Sequence, residues 1–415
     1  MKILQLCNKF VYPPKDGGAI GIFNYTKAFS ALGNEVTVLA MNTTKHPYDI
    51  RNMPADVKKL ADWMSVDVDN EVKPFSAMIS LLQNRSYNIS RFISSSYNDK
   101  LIEILHQKKF DIIQLEGLYL SPYVETIRAF SDATVVMRSH NIEHEIWQRS
   151  AENEKSFLKR IYLKILAKQL RSYEVSRLNK YDLMTSVTER DAQILKSSGC
   201  ELPIHVCPAP YDETVLKPDK SKVEFPSLFF IGALDWAPNI EGLNWFLTKV
   251  WPMLSQRFSD LKFYIAGRNM QHAQLPSPLP ARMNRSDGGR DREGSVVAVG
   301  EVENAYEFMN SKGIMIVPLL SGSGIRVKII EGMALGKTIV TTSLGAEGIP
   351  CKDGQNILIA DSPEIFAEKI IKCINEKIFF AVIGDNAQQF AKQRFSSQEV
   401  TKKLLEFFNQ NLNKS

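Results

Sequence analysis

Cysteine is scarce in this chain, and the few present carry no metal or disulfide signature. Cys7, Cys200, Cys207, Cys351 and Cys373 are an odd number with no C-x-x-C spacing, which reads as scattered buried thiols in a reducing cytosol. Long hydrophobic runs are missing too, since nothing nears the roughly 18 uninterrupted apolar residues of a membrane-spanning helix. The N-terminal MKILQLCNKF holds a mostly apolar run of only five residues, ILQLC, with no small-residue cleavage site behind it. It reads as a first β-strand and not as a signal peptide. A dominant charge is also lacking: 51 Lys+Arg stand against 46 Asp+Glu, a net +5 over 415 residues. That balance is too mild to demand nucleic acid as a partner, though it suits an anionic ligand or an acidic membrane surface. No solenoid-type repeat is found.

What the chain does have is the composition of an ordinary globular protein, 44% hydrophobic and 23% charged, long enough for two domains with substantial cores. Short apolar runs alternate with amphipathic stretches, the pattern of α/β units with parallel sheets. Strands are expected at 1–7, 35–41, 111–115, 133–138 and 181–186, with loop plus helix over 17–32 and mostly helix between Asn42 and Lys109. A second series, SLFFIG, LKFYIAG, SVVAVG, GIMIVP and KTIVTT, starts near Ser227, and PSPLPARMNRSDGGRDREG interrupts it as an irregular insertion. The proline-rich stretch from Ile204 to Pro226 reads as a linker. The expected division is 1–206, a linker at 207–226, 227–392, and an amphipathic helix in 393–415 that either domain could accommodate.

The densest chemical signal is VPLLSGSGIRVKIIEGMALGKTIVTTSLGAEGI, from Val317 to Ile349. It reads as strand, glycine loop, helix, strand, glycine loop. Gly322 and Gly324 let backbone approach a ligand, and Ser323 is the expected N-cap. The helix N-terminus suits phosphate, and Arg326 and Lys328 add cations in its first turn. Glu331 follows one turn deeper, where a carboxylate can accept hydrogen bonds from ribose hydroxyls. Together these residues form an expected nucleoside diphosphate site. The plainer alternative makes Lys328 and Glu331 an i,i+3 ion pair around a simple turn.

This segment closely resembles the nucleotide-binding signature of retaining glycosyltransferases of family 4. The resemblance extends to FIGALDWAPNIEGLNWF, VGEVENAYEFMNSKGIMIVPL, FDIIQLEGLYLSPYV and VVMRSHNIEHEIWQR, which occur in the family's order over most of the chain. It implies the GT-B fold: two facing Rossmann-like, doubly wound domains with a cleft between them, the first for the acceptor and the second for the nucleotide sugar. It also implies that domain closure excludes water. In the family's E-x7-E, the second Glu maps onto Glu331 as the ribose ligand, while Ser323 stands at the first position. The family's Arg and Lys after the second domain's first strand are also absent, because Gly232-Ala233-Leu234-Asp235-Trp236 stands there, so Arg326 and Lys328 are expected to take over the diphosphate. The resemblance places Gly17 and Gly18 in a glycine-rich loop facing donor phosphates and acceptor. It places His140 in the sugar and acceptor pocket, and Gly345 and Glu347 in a loop that approaches the donor. Without it, Gly17 and Gly18 are a tight strand-to-helix turn.

Three other patterns need weighing. HNIEH, His140 to His144, matches the inverted zinc-peptidase motif, but it follows a strand directly, so His140 falls at a strand end. Glu143 and His144 then become polar groups on the next helix. Asp67 and Asp69 form a DxD in a region read as a solvated loop without strand signals. From Lys155 to Lys180 there are eight basic residues and one acidic residue. The default is a solvated face, and the interleaved Phe157, Ile161, Tyr162, Leu163 and Ile165 give a membrane-surface helix as the second reading.

The expected function is a cytoplasmic, metal-independent hexosyltransferase that needs no cofactor. Its co-substrate is a nucleotide diphosphate-sugar and its acceptor a saccharide or lipid-linked molecule, as in cell-surface polysaccharide or glycolipid assembly. No nucleic acid partner is expected, and peripheral contact with the inner membrane face stays open. A nucleotide-sugar epimerase, a zinc peptidase and a non-catalytic nucleotide-sugar-binding subunit are the alternatives.

Overall fold

The computed structural model describes residues 1–14, 16–44, 47–71, 73, 80, 86–270, 295–322 and 325–412. The irregular insertion PSPLPARMNRSDGGRDREG lies outside the described residues. The chain divides into two compact units, Met1–Pro210 with Ser397–Ser415, and Tyr211–Ser396.

The first unit is built on a seven-stranded parallel sheet of order β3-β2-β1-β4-β5-β6-β7. Its strands are β1 (Lys2–Cys7), β2 (Glu35–Thr43), β3 (Asp62–Val68), β4 (Ile112–Glu116), β5 (Thr134–Ser139), β6 (Leu183–Ser186) and β7 (Ile204–Val206). The central strands are near-continuous apolar runs, because helices cover both faces of such a sheet. Ile3, Leu4 and Leu6 are fully buried on β1, as are Ile112, Ile113 and Leu115 on β4. Register between them runs from Ile3 opposite Ile112 to Cys7 opposite Glu116.

Two of these strands correct the sequence reading. The region between Asn42 and Lys109 was expected to be helical and its DxD to lie in a loop without strand signals, yet Asp67 belongs to β3. The segment DWMSVDV is an edge strand that alternates imperfectly, burying Trp63 and Val68. Trp63 donates its indole N–H to the Val57 carbonyl at 3.0 Å. Asp67 accepts a hydrogen bond from Asn42 at 2.7 Å, and Asp69 pairs with Lys73 at 2.7 Å. Likewise Ile204–Val206, for which no strand was expected at the start of the proline-rich stretch, forms the outer strand β7. Only three residues long, it gives too short a pattern to stand out beside the prolines.

The second unit carries a six-stranded parallel sheet of order β10-β9-β8-β11-β12-β13. Its strands are β8 (Glu224–Ile231), β9 (Lys262–Ala266), β10 (Ser295–Gly300), β11 (Lys312–Val317), β12 (Thr338–Thr341) and β13 (Leu358–Ile359). Phe229, Phe230, Ile314 and Ile316 are fully buried at its centre. Residues 207–226 do not form a separate element: Cys207–Pro210 belong to the first unit, Tyr211 onward to the second, and β8 already begins at Glu224. The C-terminal helix Ser397–Leu412 finds its apolar surface on the first unit, where Val400, Leu404 and Phe408 join Ile22, Phe23 and Val36 in one core.

All five cysteines are free, and four are buried. Among the described residues no helix is long and apolar enough to cross a membrane.

Candidate active site

In open α/β sheets, ligands gather outside the carboxyl ends of the strands where the winding direction reverses. In the second unit that point lies between β8 and β11, which are paired neighbours. Beyond their ends come Gly232 and the segment from Pro318 to Gly322. The helix Val327–Ala334 follows, held by Ile329, Ile330 and Met333, which are fully buried. It stops at Leu335 because Gly336 takes φ +69° just after it, the usual left-handed end of a helix.

The N-cap position is Arg326, with no side-chain capping bond. This corrects the expectation of Ser323 as N-cap: the helix starts three residues later than a cap at 323 requires. Ser323 and Gly324 themselves lie outside the described residues. Gly322 has φ +105°, and a Cβ there would sit 3.2 Å from the Trp236 ring and 3.4 Å from Arg326 Nη2. Glycine is therefore required twice, by conformation and by space. The Arg326 guanidinium is buried and lies 5.8 Å from the centre of the Trp236 ring.

Lys328 reaches back to the end of β8. Its Nζ donates to Asn239 Oδ1 at 2.9 Å and to the Ile231 carbonyl at 3.2 Å, and lies 4.3 Å from the Phe230 ring centre. A Cβ on Gly232 would come within 2.9 Å of this ammonium. Gly232 thus makes room for a cation supplied by another element. Burial, and then the charge of Arg326, bring the Lys328 ammonium down to about 7.

Glu331 accepts a hydrogen bond from the Tyr306 hydroxyl at 2.9 Å. Burial raises its carboxyl to about 7 against that hydrogen bond, which pulls the other way. The i,i+3 ion pair does not close, because Lys328 and Glu331 are engaged by different partners. Gly345 follows β12 in a loop folded tightly on its own strand. A Cβ there would fall 2.1 Å from Thr341 Oγ1, and its N–H donates to Thr342 Oγ1 at 3.0 Å. Glu347 sits two residues on, its N–H directed at the Leu344 carbonyl at 3.3 Å.

The first sheet reverses between β1 and β4, and a second polar group collects there. His140 Nε2 lies 2.9 Å from Glu116 Oε2, and Arg138 donates to the same oxygen at 2.9 Å. Gln5 donates to the other oxygen at 3.1 Å, and Gln114 donates there as well. Burial raises the Glu116 carboxyl, but Arg138, His140 and Gln114 together bring it down to about 2. It is a carboxylate at neutral pH and can only accept, so Nε2 of His140 carries the proton and Nδ1 is the acceptor. Burial lowers the His140 pKa, and the nearby Arg138 adds to that, while Glu116 opposes it. Arg138 stacks 4.3 Å over Tyr25, which donates to the Pro208 carbonyl at 2.7 Å.

Gly17 and Gly18 are not in a loop but open the helix Gly17–Ala31, capped by Asp16, which accepts from the Ala19 N–H at 2.9 Å. Lys9 pairs with Asp16 at 2.6 Å beside them. His144 and Glu143 lie on the helix Glu143–Glu152 but are buried, not surface groups. His144 Nδ1 is 2.6 Å from Glu174 Oε2, and Tyr119 donates to Glu143 at 2.6 Å. The two histidines of HNIEH therefore engage different carboxylates. Among the described residues no cluster of three or more metal-ligating side chains is found.

Glu116, Arg138, Asn239 and Tyr306 were not singled out by sequence reasoning. For Glu116 and Arg138 a signal existed: each is a charged residue in a strongly apolar strand, Glu116 at its end and Arg138 one residue before it. Asn239 and Tyr306 matter only through contacts 89 and 25 residues away along the chain.

Residues 225–376 match the family described as glycosyl transferases group 1. That match lies within the second unit, and over the whole chain the fold is that of the GT-B glycosyltransferase structures. An uncharacterized 44.6 kDa protein in the cps region of Klebsiella pneumoniae is 24% identical over 403 residues, spanning 96% of this chain and 97% of that one. The capsular polysaccharide biosynthesis glycosyltransferase CapM of Staphylococcus aureus is 27% identical over 123 residues, 29% of this chain and 32% of CapM. Among solved structures, Anabaena Alr3699/HepE in complex with UDP is similar in fold, with TM-score 0.66 and 15% identity over 99% of this chain and 100% of that one.

Proposed function

We propose that the protein is a retaining glycosyltransferase of family 4 type that moves a hexose from a nucleotide diphosphate-sugar to an acceptor hydroxyl. The acceptor is a saccharide or a lipid-linked saccharide, and the setting is cytoplasmic assembly of capsular polysaccharide or a related surface glycan. The observation that carries this reading is the convergence of Arg326, Lys328 and Glu331 at the reversal point of the second sheet. The UDP held by the structural neighbour and the capsular role of CapM support it.

Charge grows on the β-phosphate as the glycosidic bond breaks, and fixed cations aimed there lower the barrier more effectively than mobile water does. Arg326 and Lys328 take that role, helped by the N–H groups of the helix they open. An arriving diphosphate favours the charged form of Lys328, which burial otherwise holds near neutrality. Glu331, steadied by Tyr306, accepts the ribose hydroxyls and sets the register of the donor. Gly322 lets the chain pass close to the phosphates, Ser323 and Gly324 follow it in the same sequence signature, and Gly345 and Glu347 border the donor. In the first unit, His140 handles the sugar or acceptor through its Nδ1, with Gly17 and Gly18 nearby in the sheet's connection. No carboxylate stands out as nucleophile, which favours attack on the same face with the leaving phosphate taking the acceptor proton. No cofactor and no metal enters this scheme. Peripheral contact with the inner membrane face belongs to the same reading.

A thermal-shift screen of UDP-, GDP- and ADP-sugars tests it, because a ligand that binds only the native state raises the melting temperature. One nucleotide series is expected to raise it by several degrees. No response to any of the three would contradict a donor site.

A further inference from the structure

The helix Phe157–Arg177 has two apolar faces, and the fold uses one of them. At about 100° per residue, Leu163, Leu166, Ala167 and Leu170 share one arc, and all are buried. Tyr162 and Leu163 thus turn inward, correcting the sequence view that counted them with the surface. On the opposite arc lie Phe157, Leu158, Ile161 and Ile165, exposed at 65%, 78%, 42% and 39%. Single exposed apolar side chains are ordinary, but neighbours along one arc make a patch that calls for a partner.

Charge says which partner. Arg160, Lys164, Lys168 and Arg171 run along one flank of this arc, and no acidic residue occurs from Lys155 through Arg171. Where this part of the fold neutralises a cation it does so elsewhere, pairing Lys159 with Glu154 and Arg177 with Glu125. None of the four flanking cations forms an ion pair among the described residues. A second copy of the chain would bring the same cations against these. An anionic bilayer instead offers negative headgroups to the flank and an acyl layer to the apolar arc, and an amphipathic helix lying in the interface uses both.

We propose that the face formed by Phe157, Leu158, Ile161 and Ile165 docks the protein on an anionic phospholipid surface. The inference rests on the peripheral membrane contact of the proposed function and names the face that makes it, while its test does not depend on the donor site.

The test is co-sedimentation of the full-length protein with vesicles of phosphatidylcholine, alone or with roughly a third phosphatidylglycerol. Partition onto the anionic vesicles is expected to exceed that onto neutral ones by about tenfold, and to fall with added salt. Phe157→Ser with Leu158→Ser, and separately Lys164→Glu with Lys168→Glu, are each expected to cut it about tenfold. Both variants should keep the wild-type melting temperature and nucleotide binding, which separates this result from any failure of the donor reading. Equal partition onto both vesicle types, or variants that partition like wild type, would overturn the proposal. So would a concentration-dependent dimer that the Phe157→Ser, Leu158→Ser variant dissolves.

Discussion

Lys328 Nζ sits 2.9 Å from Asn239 Oδ1, a contact between residues 89 positions apart. The cation at the end of β8 therefore comes from a later helix, and Gly232 clears the space for it. This relationship ties the glycine turn, the buried lysine and the strand end into one unit, and it has consequences that can be measured.

Lys328 and Glu331 act on stability in opposite pH ranges. The Glu331 carboxyl rises from 4.5 to about 7 on folding. Its stabilising contribution is full below the unfolded pKa and is lost as pH rises toward 7. The Lys328 ammonium falls from 10.5 to about 7. Its contribution is full above the unfolded pKa and is lost as pH falls toward 7. Together they predict a stability minimum near neutrality from these two groups. In denaturant titrations across pH, Glu331→Gln should flatten the acidic limb and Lys328→Met the alkaline one. Parallel curves for wild type and both variants would refute the assignment.

Glu116 is expected to matter for stability first. Arg138 is 1% exposed, and removing its carboxylate partner leaves a buried charge uncompensated, at a cost of about 3–5 kcal/mol. Glu116→Ala should lower the melting temperature by roughly 10 °C. His140→Ala should instead leave melting nearly unchanged and reduce kcat/KM by roughly a hundredfold through lost positioning. If both variants melt alike and turn over alike, the two residues do not divide the work in this way.

Both sheets, except the outer strands β3, β7 and β13, were legible in the sequence because buried parallel strands write themselves as apolar runs. β3 was not, since an edge strand with Asp62, Ser65 and Asp67 in it looks polar. The glycine loop and its helix were legible because glycine, cations and a carboxylate stand close together along the chain. Their partners were hidden for the opposite reason. Tyr306 and Asn239 are ordinary helix residues until folding brings them to Glu331 and Lys328.

Tyr306→Phe removes a hydroxyl that steadies Glu331. The expected loss is about 1 kcal/mol of donor binding, seen as a roughly fivefold rise in KM for the nucleotide sugar with kcat little changed. A fall in kcat at constant KM would place Tyr306 at the reacting bond instead.

A diphosphate neutralised by Arg326 and Lys328 needs no divalent ion. Turnover should survive dialysis against EDTA and gain nothing from added Mn²⁺ or Mg²⁺. Loss of activity in EDTA that Mn²⁺ restores would overturn the cation assignment.

The most direct measurement is calorimetric titration of the preferred nucleoside diphosphate into wild type and Glu331→Ala at matched folding. The account predicts weakening by about 1–3 kcal/mol, or roughly five- to 150-fold in Kd. Identical affinities in the two proteins would mean that the ribose is held elsewhere, and that the turn before the helix Val327–Ala334 is not the donor site.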